Sequence, residues 1–146
     1  MTTAIRNEII STVRGITPTE DAASRFVCID DATGARASLF HAVDNGRRRV
    51  FDIRSISSTD LGQAGVTSVR YAEQMEIRIG YHAAQSDEAR LDRMMAQDVR
   101  DIIMTLRNPS NFGSADALVV GQEPAVISET ENGLIQAVPI TAVYVQ

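Results

Sequence analysis

Lysine and tryptophan are both missing from this chain. All fourteen basic residues of the 146-residue sequence are therefore arginines, set against nineteen Asp and Glu, and the formal net charge is −5. An acidic chain is a poor non-specific partner for nucleic acid, because such binding depends on neutralising phosphates with basic side chains. Cysteine is almost as scarce. Cys28 stands alone, which excludes an intramolecular disulfide and a cysteine-based zinc cluster. Within "RFVCID" it reads as a small buried hydrophobe rather than a nucleophile. Aromatic residues make up only 5% of the chain, so the core must rest on Ile, Val, Leu, Met and Ala. No apolar run approaches the roughly 18 residues of a membrane span. The start, "MTTAIRNEIISTV", lacks the basic region and continuous apolar stretch of a signal peptide. The expectation is a soluble protein that acts where it is made or assembled.

What is present fits one ordinary domain over residues 1–146, with 44% hydrophobic and 23% charged residues. Ile5, Ile9, Ile10 and Val13 share one helical face; Thr2 or Thr3 can cap its start, and Gly15 and Pro18 stop it. "TPTEDAAS" reads as a connector. From Arg25 the pattern turns to strand. "RFVCID" meets "ARASLFHAV" across Asp31–Gly34, and Asn45-Gly46 offers the centre of a type I′ hairpin. That register sets Val43 against Arg48, Phe40 against Phe51 and Ser38 against Ile53. "SSTDLGQAGVTS" reads as a glycine-bearing loop. Beyond it, "VRYAEQMEIRIGY" alternates cleanly. Val69, Tyr71, Met75, Ile77, Ile79 and Tyr81 point one way, and Arg70, Gln74, Glu76 and Arg78 the other, as in an antiparallel sheet with one face covered.

The segment "SDEARLDRMMAQDVRDIIMTL" supplies that cover. Ser86 is a suitable cap, Asp87 and Glu88 sit at the positive end of the helix dipole, and Leu91, Met94, Met95, Val99, Ile102, Ile103 and Leu106 form one stripe. "ALVV", "AVISE" and "LIQAVPITAVYV" return to strand. Pro139 lacks an amide proton, so the last strand should have an irregular or unpaired point there. The fold class expected is α+β: a mainly antiparallel sheet with a β-hairpin, one long helix packed across it, and a short N-terminal helix.

Chemistry is harder to find. In the predicted hairpin His41 and Asp52 are diagonal neighbours, and a His–carboxylate pair can be half of an acid–base site. No nucleophile, second histidine or oxyanion turn accompanies them, so a polar cross-strand pair is the preferred reading. Asp30, Asp31 and Asp44 could hold a hard cation, but the calcium-loop spacing is absent and Asp is common in turns for local reasons. Arg47, Arg48 and Arg49 invite a phosphate. In a strand Arg48 points away from the other two, and a solvated surface or a contact with an acidic partner is preferred to DNA binding. "GQAG", "GSADALVVG" and "NGR" match neither the P-loop nor the dinucleotide fingerprint, and no HExxH or GxSxG occurs. The pattern argues against an enzyme, with no catalytic, cofactor-binding or metal-ligating residue to name.

The order of elements resembles the tail terminator family of long-tailed bacteriophages and related gene-transfer particles. The likeness is architectural and runs from Thr3 to the end. It is carried by the short helix "AIRNEIISTV", by "RYAEQMEIRIGY" feeding the acidic-capped "SDEARLDRMMAQDVRDIIMTL", by the weak strand "AVISETENG", and by the terminal "GLIQAVPITAVYV". The resemblance implies a virion protein at the head–tail neck, made in the host cytoplasm. It would form a homo-oligomeric ring, usually of six copies, on the last ring of the tail tube protein. Such a ring stops tube growth and docks to a neck, stopper or connector protein, while DNA passes through its bore without specific binding. Cofactors and membranes have no place in that role. Acidic groups lining the bore would repel the DNA backbone. The Asn45–Arg49 turn and the glycine-bearing loop are expected to reach neighbouring subunits or rings, making Asn45, Arg47, Arg48, Arg49, Asp60, Leu61 and Gln63 the candidate interface residues. Two alternatives stand beside this reading: another small connector such as a stopper, adaptor or tail-completion protein, and a small cytosolic enzyme or ligand-binding α+β domain.

Overall fold

Helix α1, Thr3–Gly15, buries Ile5, Ile9, Ile10 and Val13, the face expected from their spacing. Its last carbonyls are capped by a side chain, since Arg25 Nη2 donates to Gly15 O at 3.2 Å. The structure is a computed structural model, described over residues 3–29, 38–44, 46, 48–82, 88–108, 110, 117–120, 125–130 and 132–146. After α1 come β1 (Val27–Cys28), helix α2 (Leu39–Asp44), β2 (Arg48–Gln63), β3 (Val69–His82), helix α3 (Glu88–Leu106), β4 (Ala117–Val120), β5 (Ala125–Thr130) and β6 (Gly133–Val145). The fold is α+β, as expected. The strands form one six-stranded sheet in the order β1-β2-β3-β6-β4, with β5 also paired to β6, and every pairing is antiparallel except β1 with β2.

The hairpin exists, but it is not where the Asn-Gly turn placed it. "SLFHAVD" is a short helix rather than a strand. Ser38 Oγ accepts a hydrogen bond from His41 N at 3.1 Å, the geometry of an N-cap. Leu39, Ala42 and Val43 then bury one helical face. Gly46, at φ +90°, donates to Val43 O at 3.2 Å and ends the helix. The expected register of Phe40 against Phe51 is therefore overturned: Phe40 is exposed on α2 and Phe51 is buried in the sheet. The first strand of the expected pair shrinks to β1, which runs parallel to β2 through Val27↔Val50 and Cys28↔Phe51. The turn placed at Asp31–Gly34 lies outside the described residues, as do Ser86 and Asp87.

The true hairpin is β2–β3, and it absorbs most of the segment expected to be a loop. Pairing continues from Arg48↔Tyr81 to Gln63↔Val69, so only Ala64–Ser68 connects the strands. Three register shifts on β2 leave Arg49, Ile56 and Leu61 as extra, bulged residues. Gly62, at φ +106°, follows the last bulge, and Asp60 Oδ1 accepts from its amide at 2.7 Å. Ladder bonds to β3 hold this polar, glycine-bearing stretch extended despite its composition.

One face of the sheet is covered by α1 and α3. The main core joins Ile5, Ile9 and Val13 of α1 to Met75, Ile77 and Ile79 of β3 and to Met94, Val99, Ile102 and Leu106 of α3. A second, smaller core lies on the opposite face under α2, where Leu39, Ala42 and Val43 meet Val50, Ile135 and Ile29. Contact there is close enough to require glycine: a Cβ at Gly80 would collide with Val43 Cγ2. Pro139 behaves as expected. On its outer edge β6 pairs β5 as far as Ala137 and β4 from Ile140 onward, and among the described residues Val138 and Pro139 have no strand partner on that edge.

Candidate functional site

The expected interface residues separate into two places at opposite ends of β2. Asp60, Leu61 and Gln63 come together at the far end of the β2–β3 hairpin, and all three are exposed. Asp60 and Gln63 border a groove of about 440 Å³ with Gly62, Val66, Thr67, Ser68 and Val69. Gln63 Nε2 donates to Val66 O at 3.2 Å, and Ala64 N to Ser68 O at 2.9 Å, which shapes the connecting turn. The C-terminus braces this end, because Val69 and Gln146 exchange both backbone hydrogen bonds. From Arg54 to Thr67 every residue is exposed, including Ile56 (56%), Leu61 (52%) and Val66 (94%). An arm of this kind, paired along one edge and bare elsewhere, presents apolar side chains to whatever meets it.

At the other end, Asn45 and Arg47 lie outside the described residues. Arg48 is exposed and donates through Nε to His82 O at 3.3 Å. Arg49 overturns the expectation of a surface residue: it is 0% exposed. The bulge at φ +54° turns its side chain into the sheet face under α3. There all five guanidinium hydrogens are used. Nε and Nη2 bind Asp98 side-on at 2.8 and 2.9 Å, Nη1 donates to Asp21 O at 2.6 Å and Ser24 O at 2.7 Å, and Nη2 also donates to Glu20 O. Phe26 lies against the guanidinium, 5.7 Å from ring centroid to Cζ. One side chain thus ties the connector after Pro18 to both sheet and helix.

Asp98 sits at the centre of this cluster. Tyr81 OH donates to its Oδ2 at 2.8 Å, and Gln136 Nε2 donates to Tyr81 OH at 2.8 Å and to Met95 O at 3.1 Å. Burial pushes the Asp98 carboxyl up from its ordinary value, against the opposing pull of Arg49 and Tyr81. The Tyr81 phenol is pushed well up, by burial first and by the Asp98 charge second. Among the described residues no buried side-chain polar atom lacks a partner. A fully satisfied buried network fixes geometry. Asp98 and Gln136 were missed in the sequence, although a signal existed: Asp98 occupies the same helical face as Met94, Met95 and Ile102, and Gln136 the same strand face as Val138 and Ile140. Glu73 repeats the pattern on β3. It is buried in phase with Tyr71 and Met75 and accepts from Ser55 Oγ at 2.7 Å.

The remaining candidates fall apart. His41 lies on α2, and Asp52 instead faces Arg78 across the β2–β3 ladder, with Arg78 Nε donating to Asp52 Oδ1 at 2.8 Å. That hydrogen bond, ahead of the Asp52 charge, raises the Arg78 pKa. Asp30 and Asp31 are outside the described residues, as is the side chain of Asp44. No cluster of three His, Cys, Asp or Glu suited to a metal occurs among the described residues. Cys28 is buried, as expected. No helix among the described residues is long and apolar enough to cross a membrane. A second groove, of about 520 Å³, runs between the end of α1 and α3 past Ser11, Ile16, Asp101 and Met104. No family model matches the chain, and no curated protein matches it either.

Proposed function

We propose that this chain is a structural subunit of a head–tail junction, forming a ring that caps a tail tube, halts its growth and docks to a neck or connector protein. The observation that carries the reading is the β2–β3 arm. It projects Ile56, Leu61 and Val66 into solvent from a body in which, among the described residues, every buried side-chain polar atom has a hydrogen-bond partner. Rigid body and exposed arm are what an assembly block needs: the body keeps its shape while the arm tip contacts the next ring along the axis. The distribution of polar groups adds support, because Arg49, Asp98, Tyr81 and Gln136 hold elements in place rather than facing a cleft. In this reading the ring is a homo-oligomer of the tail-terminator kind, and its acidic composition discourages DNA from sticking in the bore.

The test has two parts. Light scattering of the purified chain should find a species several times 15.9 kDa. Added to growing tubes of a major tail subunit, the chain should arrest elongation at a stoichiometry of one ring per tube. A chain that stays monomeric at every concentration, or tubes that lengthen unchanged, would refute the role.

A further inference from the structure

The outward face of α3 carries an arrangement that the arm does not explain. Arg93, Arg100 and Arg107 recur every seven residues, and with Ala96 and Met104 they fall on the side of the helix opposite its buried stripe. All are exposed, Met104 to 75%. Among the described residues the three arginine side chains make no ion pair or hydrogen bond, whereas Arg49, Arg54, Arg78 and Arg90 each face a carboxylate. The stripe spans about 21 Å, at 1.5 Å per residue. Without these three arginines the remaining chain has a net charge of −5 − 3 = −8. A compact positive stripe with an apolar centre thus sits on a strongly negative molecule.

We propose that this stripe is the lateral contact of the ring, and that its occupant is the acidic C-terminal segment of a second copy. Charge complementarity within the chain selects that occupant. Residues 108–146 contain Asp116, Glu123, Glu129 and Glu131 and no basic residue. The described strands within this range include β4 and β5, which line the edge of β6 away from β3, at the opposite side of the sheet from β2. The stripe and this segment differ, so each copy offers one and receives the other. Head-to-tail contacts of that kind close into a ring when the rotation between copies divides a full turn. Met and Arg are enriched at interface centres, where Met supplies apolar contact and Arg reaches carboxylates side-on. The groove beside α1 continues the surface, since Met104 forms part of its wall. This inference rests on the ring reading and adds which faces meet.

The experiment is a charge swap read by light scattering and sedimentation. Arg93→Glu with Arg100→Glu should weaken self-association by about a hundredfold or more, as should Met104→Asp. The exposed positions leave thermal unfolding unchanged, which separates lost contact from lost fold. Adding Glu129→Arg and Glu131→Arg to the double variant should restore association at least about tenfold, and raising salt should weaken the parent contact. An assembling parent whose stripe variants assemble equally well overturns this inference and leaves the ring reading standing. A swap that restores nothing overturns the choice of occupant. Duplex DNA retained by the parent at physiological salt and lost by the stripe variants, with assembly unaffected, assigns the stripe to nucleic acid and overturns it too. A parent that never associates removes the ring reading, and this contact with it.

Discussion

The two halves of β2 obey different physics although they are one strand. From Arg49 to Ile53 it is almost wholly buried, with α3 on one face and α2 on the other. From Arg54 onward its residues are exposed, and it is kept extended by backbone pairing with β3, helped by side-chain contacts of Arg54, Ser55 and Ser57 with Glu76, Glu73 and Gln74. The near half is held by side chains that fit only each other, and the far half by a ladder that tolerates Ser, Thr, Asp and Gly. Stability therefore concentrates at one end of the hairpin, while freedom to vary side chains, and so to recognise a partner, concentrates at the other.

The sharpest way to break that contrast is to empty the near end of its cation. Arg49→Leu leaves Asp98 buried beside Tyr81 and frees three connector carbonyls. It should cost about 3–5 kcal/mol, the range for removing one partner of a buried pair. Replacing both partners, with Arg49→Met and Asp98→Leu, should cost markedly less than the single change, because no charge is stranded. Urea unfolding of the single and double variants checks both values. Equal costs would mean that the connector contacts, not the ion pair, dominate.

Gly80→Ala probes the same region from the other face. Its Cβ would meet Val43 Cγ2 and come within 3.4 Å of Leu39 Cδ1, so overpacking should cost about 1–3 kcal/mol. Val43→Ala placed beside it should recover part of that loss, and a double-mutant cycle measures the coupling.

How much of this was legible beforehand follows from what each element depends on. Helix α3 and strand β3 were legible because a core-facing stripe and a one-sided sheet each impose a period on the sequence. Helix α2 was misread because six residues give fewer than two turns. "SLFHAV" fits a strand by composition, and only the spacing of Leu39, Ala42 and Val43, with Ser38 before them, betrays the helix. The length of the hairpin was hidden because β3 holds it through the backbone, and bulges at Ile56 and Leu61 spoil its alternation. For the candidate interface, Asp60, Leu61 and Gln63 were found on loop chemistry and do lie on the surface. Arg49 could not be told from Arg48, since a bulge that re-aims one side chain leaves no trace in composition.

A smaller effect, with a definite pH sign, is expected at Tyr81. Burial and Asp98 hold its phenol well above the ordinary value. Above about pH 10 the unfolded chain loses this proton while the native chain keeps it, so stability is fully present below pH 10 and declines as pH rises beyond it. Tyr81→Phe should cost about 1 kcal/mol at pH 8 through the lost hydrogen bond to Asp98, and should flatten the alkaline decline. Part of the decline should remain, because burial raises the Tyr144 phenol as well. Denaturant titrations from pH 8 to 11 read out both features.

The smallest expected change in stability belongs to the far end, and there the contrast between the halves becomes a statement about function. Ile56→Ser, Leu61→Ser and Val66→Ser replace apolar side chains that are already more than half in solvent. Each should alter stability by no more than about 0.5 kcal/mol. Bulged Ile56 and Leu61 interrupt the ladder rather than carry it, so pairing to β3 should survive. If the arm tip contacts the next ring, the triple variant should still unfold at the parent's denaturant midpoint and still form a ring through its lateral contacts, yet fail to arrest tube growth. Loss of ring formation together with arrest would instead place the arm in the lateral interface. Arrest as efficient as the parent's would mean that the apolar tip, for all its exposure, is not the docking element.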